Sequence, residues 1–352
     1  MKIKLLFWIF VLVTAISSLN AKQSSSSEEY FPSNRWETKD PEALGYSLQK
    51  LQKAHDYFTK SGATAFMVID HGYIIAEWGN SYQVSNCYSV RKSFLSALYG
   101  IYFHEGKIDL SKSMKELNID DKQKLTDTEK MATVFDLLKA RSGIYHPAAY
   151  ETKAMKSKRP ARGSYFPNRY YYYNNWDFNA LGTIFEQETE EKIFEAFKKR
   201  IADSIGMQFV PEDGKYIKER ASLHAAYPFW MNARDRARFG LLYLRNGRWK
   251  NHQVIPKKWI EESTIPYSQV SKGIGYGYMW WVSTGQWHLG NKVKGKAFSA
   301  RGYWGQYVIV LPEHDLVIVQ VSDKENGALK ASGKTFNRLS GYILNAKDKS
   351  FK

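Results

Sequence analysis

The spacing of apolar residues changes repeatedly along this chain, and each change marks a predicted element. Leu44, Leu48, Leu51 and Ala54 recur at the three-and-four spacing of one helical face, so a helix is expected over 41–59. Two β-like runs follow, 64–69 and 73–78. Asp70-His71-Gly72 joins them as a tight turn, which predicts a hairpin with His71 as a turn residue. Val90, Phe94, Leu95, Leu98, Ile101 and Tyr102 then predict a strongly apolar helix closing near Gly106. Thr126 and Glu129 form a capping signal, and Thr133 opens a short apolar helix that ends at Ser142-Gly143. Further helices are expected over 177–187, 191–201, 233–245 and 257–263. Glycines then become frequent and the period shortens. Strands are predicted at 273–281, 306–311 and 316–321, the last two turning at 312–315, before a final helix over 327–344.

Strands thus lie towards both ends, with a long helical stretch between them. The expected class is α/β (α+β): one antiparallel sheet built from N- and C-terminal strands, flanked by helices, with a helical insertion at about 107–264. The domain would span 36–346, after a polar, Ser-rich linker at 22–35 and before a polar tail at 347–352. No internal repeat is visible.

The first residues, Met1 to Lys4, carry positive charge, and an apolar run over 5–16 and small or polar residues over 17–21 follow. That is the layout of a secretory signal peptide cleaved near Ala21, and it predicts a secreted or periplasmic protein. The competing reading is a membrane anchor, but the run falls short of the ~20 residues that span a bilayer. No cysteine lies near the cleavage point, which argues against a lipid anchor. Cys87 is the only cysteine in the chain, so an intramolecular disulfide is impossible. It is read as a small apolar residue at a buried turn and not as a nucleophile.

A hydrophobic content of 43% is enough for a large core. The net charge of +16 would suit an anionic partner. The basic residues nevertheless interleave with apolar positions over 192–200 and 234–245, as on solvated helix faces, so nucleic acid is not expected. A weak association with anionic envelope material is the expectation drawn from charge. Oligomeric state is not legible.

Candidate chemistry centres on Ser89 and Lys92, one turn apart at the mouth of the apolar helix. A buried lysine beside a serine hydroxyl can lose its proton and act as a base, and open amides at a helix start can hold an oxyanion. Ser47 and Lys50 share the spacing but lie in an ordinary amphipathic helix. Tyr173-Asn174-Asn175 precedes a helix. An isolated phenol, with pKa ~10, is a poor base, but beside an ammonium its anion is favoured, so Lys92 and Tyr173 could share the Ser89 proton. Tyr170, Tyr171 and Tyr172 are equally available by sequence. Further on, Gly302 and Gly305 flank Tyr303 and Trp304 beside a strand, where a substrate can approach the backbone and the Tyr303 amide could join that of Ser89.

Ser-x-x-Lys, Tyr-x-Asn and a Gly-containing strand, in that order, resemble the β-lactamase-related serine hydrolases. Within them the chain is similar to the branch of class C β-lactamases, D-alanyl-D-alanine carboxypeptidases, esterases and 6-aminohexanoate-dimer hydrolases. The resemblance covers roughly 36–345 and takes in 133–143, 175–182 and the Gly-x-x-Gly-Gln of 302–306. It implies Ser89 as acylated nucleophile and Lys92 with Tyr173 as general acid/base pair. It also implies Asn175 as a polar substrate contact and the amides of Ser89 and Tyr303 as oxyanion hole. Where β-lactamases of this kind have Lys-Thr-Gly, this chain has Ala300-Arg301-Gly302. With Ala300 in the lysine's place, an ester or small amide is the expected substrate. A D-Ala-type peptidase or weak β-lactamase is the alternative, and a catalytically silent envelope-binding protein of the same fold is a second.

Other chemistries find little support. No cofactor is expected. There is no His-Glu-x-x-His motif and no cysteine cluster for zinc, and His104, His146, His224 and His288 stand apart in sequence. No Gly-x-Ser-x-Gly elbow is present. Residues 100–107 superficially suggest a P-loop, but Ile108 stands where Ser or Thr must bind magnesium.

Overall fold

The computed structural model describes residues 29–348, so the expected leader and its cleavage point lie outside the described residues. Among the described residues no helix is long and apolar enough to cross a membrane.

Helix α1 (Leu48–Phe58) opens on Ser47, whose hydroxyl accepts from the Lys50 amide. Lys50 Nζ in turn donates to the Asn345 carbonyl at 3.1 Å, so this second Ser-x-x-Lys is a helix cap and a surface tie. Strands β1 (Ala65–Asp70) and β2 (Tyr73–Gly79) form the expected hairpin. His71 and Gly72 both take positive φ, 51° and 86°, as a two-residue turn requires. The turn that carries Ser89 leads into α2 (Arg91–His104), and α3 (Asn175–Thr189) and α4 (Ala233–Leu244) follow after irregular connections. The last third of the chain supplies β3 (Ser268–Ser271), β4 (Ile274–Tyr276), β5 (Trp281–Ser283), β6 (Phe298–Gly302), β7 (Gln306–Leu311) and β8 (Leu316–Val321), then α5 (Gly333–Ala346).

These strands make one eight-stranded sheet in the order β2-β1-β8-β7-β6-β5-β4-β3, with every pairing antiparallel. Strands from both ends of the chain meet at the β1–β8 seam, where Ala65 faces Val321 and Asp70 faces Leu316. Every residue of β1 and β8 is buried, because helices cover both faces of the sheet. One face sends Phe66, Val68, Ile309 and Ile318 against Leu51, Phe58, Phe336 and Ile343 of α1 and α5. The other sends Met67, Val308, Val317 and Val319 into the larger core built on α2, α3 and α4. Gly240 lets α4 lie close on the sheet, since a Cβ there would meet Val317 Cγ1 at 2.6 Å.

Four predicted elements differ from the structure. The helix expected over 41–59 is a 3₁₀ turn, Glu42–Leu44, and the separate helix α1, parted at Gly45, whose φ is 79°. The run 273–281 is two strands, because the chain turns at Gly277, where a Cβ would meet the Ser263 carbonyl at 2.1 Å, and at Met279, whose φ is 62°. The final helix begins at Gly333 because Ser332 caps it by accepting from the Thr335 amide. The helix expected over 191–201 runs only over Ile193–Phe197, then widens into a π turn at Lys198–Ala202.

Candidate active site

Ser89 lies in a single 3₁₀ turn, Tyr88–Val90, immediately ahead of α2. Tyr88 has φ of 46°, a strained value for a residue with a Cβ, and its amide donates to Asn86 Oδ1 at 2.8 Å. The turn is pinned from behind. The Cys87 amide donates to the Phe229 carbonyl at 2.8 Å, and buried Arg236 donates to the Ser85 carbonyl at 2.8 Å and the Met231 carbonyl at 3.0 Å. Arg236 also donates to Gln306 Oε1, so the glutamine of Gly-x-x-Gly-Gln ties β7 to the segment that carries Ser89.

Lys92 is buried and donates from Nζ to Ser89 Oγ at 2.8 Å. Its amine lies 4.9 Å from the ring centres of both Tyr173 and Phe178. Burial, and then the neighbouring Arg91 charge, hold its pKa well below the ordinary lysine value. Burial also pushes the Tyr173 phenol up to about 12, against the lowering pull of its Ser89 hydrogen bond and the charges of Arg91 and Arg301. This apolar shell therefore disfavours both charges of an ammonium–phenolate pair and favours an amine beside a phenol. Such an amine can accept the Ser89 proton, and such a phenol can donate one.

The four consecutive tyrosines separate cleanly. Tyr170 is exposed, and Tyr171 packs on Tyr276 at 5.6 Å. Tyr172 donates to the Met155 carbonyl at 2.8 Å. Only Tyr173 stands beside Lys92. Its ring is walled by Phe178 at 5.1 Å, Trp281 at 5.4 Å and Tyr276 at 5.8 Å. Asn174 caps α3 and donates to the Ile144 carbonyl at 2.6 Å and Asp177 Oδ1 at 2.8 Å. Ser142 donates to the same Asp177 oxygen at 2.6 Å, which shows what the Ser142-Gly143 stretch does: it anchors the start of α3.

Asn175 is buried, and its Nδ2 donates to the Tyr150 carbonyl at 2.7 Å, while its Oδ1 has no hydrogen-bond partner among the described residues. Gly302 brings β6 against the turn that carries Ser89, since a Cβ there would lie 2.5 Å from the Cys87 carbonyl oxygen. Tyr303 follows directly, half exposed, with its ring edge 5.7 Å from Tyr88. Ala300 is buried in the core. Arg301 donates to Ser299 Oγ at 2.9 Å and lies 4.8 Å over Trp281, so its guanidinium is held behind the Tyr173 wall. Burial lowers the Arg301 pKa to about 10.

Arg91 was missed by the sequence reading, and the reading of 234–245 as a solvated basic face is corrected, since Arg236, Arg238 and Arg245 are buried and bonded to backbone carbonyls, Gln306 or Asp315. Their helices, α2 and α4, are buried on nearly every side, and that all-round burial was the available signal. Cys87 is fully buried, and burial raises its thiol to about 11. His146, His224 and His288 are buried and bonded to Glu129, Thr183 and Ser299 respectively, while His104 is exposed. Among the described residues no group of three or more His, Cys, Asp or Glu side chains is placed to hold a metal ion.

The sequence matches the β-lactamase family model over residues 52–341. The chain belongs to the β-lactamase family. It therefore sits in the superfamily of serine hydrolases that shares this fold. Among solved structures it is similar to a protein assigned as a 6-aminohexanoate-dimer hydrolase from Bacillus anthracis, at 22% identity and TM-score 0.63, covering 89% of this chain and 87% of that one. It is also similar to an octameric penicillin-binding protein homologue from Pyrococcus abyssi, at 17% identity and TM-score 0.62, covering 86% and 78%. A β-lactamase/D-alanine carboxypeptidase from Pseudomonas syringae aligns at 16% identity and TM-score 0.61, over 87% and 99%. At these identities the likeness establishes the fold of this β-lactamase family member. No curated protein matches its sequence.

Proposed function

We propose that this β-lactamase family member cleaves an ester or a small amide through an acyl-enzyme on Ser89. The observation that carries the reading is the 2.8 Å contact from Lys92 to Ser89 Oγ, made by a group whose burial lowers its pKa well below the ordinary lysine value. Lys92 takes the Ser89 proton as Oγ forms its bond to the substrate carbonyl carbon, whose π electrons move onto oxygen. The amides of Ser89 and Tyr303 hold that oxyanion, with β6 kept close by Gly302. Collapse breaks the bond to the leaving group, which takes a proton from the Tyr173 phenol, and the Lys92 ammonium returns its proton to Tyr173. Water then attacks the acyl carbon by the same route in reverse.

The substrate preference rests on β6. Ala300 offers no cation, and the Arg301 guanidinium stacks on Trp281, away from the place a lysine would occupy, so carboxylate-bearing β-lactams are disfavoured. The test is a panel of nitrophenyl esters, a D-alanyl-D-alanine peptide and a chromogenic β-lactam, run on wild type, Ser89→Ala and Lys92→Ala. The reading expects ester turnover that both variants abolish. Turnover of the peptide or β-lactam in preference to every ester would overturn the substrate assignment, and hydrolysis retained by either variant would overturn the roles. A folded protein inert to the whole panel would favour an envelope-binding role.

A further inference from the structure

Arg91 is the first residue of α2, between the nucleophile turn and Lys92, and it is completely buried. A guanidinium in such a place is ordinarily paired with a carboxylate, since a lone buried charge is expensive. Here it is not. Nη2 donates to the neutral amide oxygen of Asn179 at 2.7 Å, and Cζ lies 4.1 Å over the Tyr227 ring. Nε and Nη1 have no hydrogen-bond partner among the described residues, and Arg91 makes no ion pair there. The cage itself is firmly held. Asn179 donates to the Ala149 carbonyl at 3.1 Å, and Tyr227 donates at 2.9 Å to the carbonyl of Phe178, whose ring faces the Lys92 amine.

We propose that Arg91 is a positioning residue of the acyl transfer: a fixed, deliberately uncompensated positive charge that keeps the adjacent Lys92 as a free amine. The proposal rests on the Ser89 reading above. A guanidinium does not give up its proton in proteins, whereas an amine can, so of two neighbouring buried bases the lysine is the one that yields. Among the described residues no carboxylate pairs with Arg91 or Lys92: the charges of Glu325 and Asp323 reach Tyr88, and that of Glu325 reaches Tyr150, but Glu325 accepts from Asn86 and Trp230. The Tyr173 loop contributes a phenol, β4 the Tyr276 phenol, the segment before α4 the Tyr227 phenol, and residue 150 a further phenol. β6 contributes a second cation, Arg301, whose charge also reaches Tyr173. The one carboxyl of α3 close by, Asp177, is turned to Ser142 and Asn174, and burial raises it well above the usual carboxylate range. Lowering of Lys92 by the Arg91 charge, second to burial, agrees with this geometry.

The test compares charge with shape by following the rate of acylation by a nitrophenyl ester against pH, with the acyl group located by mass spectrometry. Arg91→Met removes the charge. Asn179→Asp leaves Arg91 in place and supplies the missing carboxylate, and Asn179→Ala removes the same hydrogen bond without adding charge. Arg91→Met and Asn179→Asp are expected to move the rising limb of kcat/KM upward by about one pH unit or more, a roughly tenfold loss near neutral pH that high pH restores. Asn179→Ala should leave the limb in place. Limbs unmoved in Arg91→Met and Asn179→Asp, with the adduct on Ser89, would overturn the role of Arg91 alone, as would an Asn179→Ala shift equal to that of Asn179→Asp. An adduct elsewhere would overturn the Ser89 reading with it. Should Arg91→Met fail to fold, the two Asn179 variants decide the matter by themselves.

Discussion

Replacing Lys92 with methionine separates a catalytic amine from a structural one. The substitution removes the Nζ that donates to Ser89 Oγ at 2.8 Å and leaves an unbranched side chain between the rings of Tyr173 and Phe178. Loss of a positioned base is expected to lower kcat by about 10²–10⁴-fold, or roughly 3–5 kcal/mol of barrier. Stability should move the other way. The native lysine titrates well below its unfolded value, so between the two values the unfolded chain binds a proton that the folded chain does not. Folding is therefore penalised at neutral pH, and the penalty fades as pH rises towards ~10.4. Methionine carries no proton in either state. Lys92→Met is thus expected to match the wild type or exceed its stability by about 1 kcal/mol near neutral pH, with the margin shrinking in alkali. Initial rates with a nitrophenyl ester, beside urea unfolding at about pH 7 and about pH 9, measure both arms. Near-wild-type turnover would refute the base assignment. Lost turnover together with a stability drop of several kcal/mol would show that the lysine holds the fold, and would refute the reasoning equally.

Three further outcomes follow from other parts of the molecule. Gly302→Ala places a Cβ 2.5 Å from the Cys87 carbonyl and 2.9 Å from Gln306 Cβ, so β6 must withdraw from the nucleophile turn. Kinetics should show kcat falling about 10²-fold and unfolding should show about 1–3 kcal/mol lost, whereas unchanged kcat would contradict the oxyanion role of this strand. Glu129 is held at about 2 by His146, Arg162 and the Thr126 amide despite its burial, a contribution of about 3 kcal/mol that is complete above its unfolded value and lost as pH falls through about 2. Glu129→Gln should lose it at neutral pH and flatten the acid limb of the unfolding curve, and an unchanged limb would contradict the assignment. Cys87, whose thiol burial raises to about 11, should resist iodoacetamide in the native protein and react once unfolded; rapid native labelling would contradict its place in the core.

How far the fold could be read in advance depended on whether one segment carried its own pattern. The β1–β2 hairpin and the apolar stretch behind Ser89 were legible because alternation, turn residues and helical spacing are local. The break at Gly277–Met279 was not, since it answers to the Ser263 carbonyl, a contact made by a distant helix end. The start of α5 was misplaced because the Gly-Ala-Leu of 327–329 reads as helix, whereas capping by Ser332 sets the boundary. In the site, Ser89 and Lys92 share a single turn and could be paired from spacing. Tyr173 could not be told from its three tyrosine neighbours without the folded loop, which sends each ring to a different partner. The shifts of Lys92 downward and Tyr173 upward were likewise invisible, because the burial behind them comes in part from aromatic walls contributed by α3, β4 and β5. Arg91 carried no signal of its own in the sequence, and the packing of Tyr227 and Asn179 around it is what shows its place.

The most direct test of the mechanism is intact-protein and peptide mass spectrometry after brief exposure to a fluorophosphonate probe. The account predicts a single adduct on Ser89, formed slowly in Lys92→Met and absent in Ser89→Ala. A correctly folded protein that takes no label, or takes it on another residue at the wild-type rate, would contradict it.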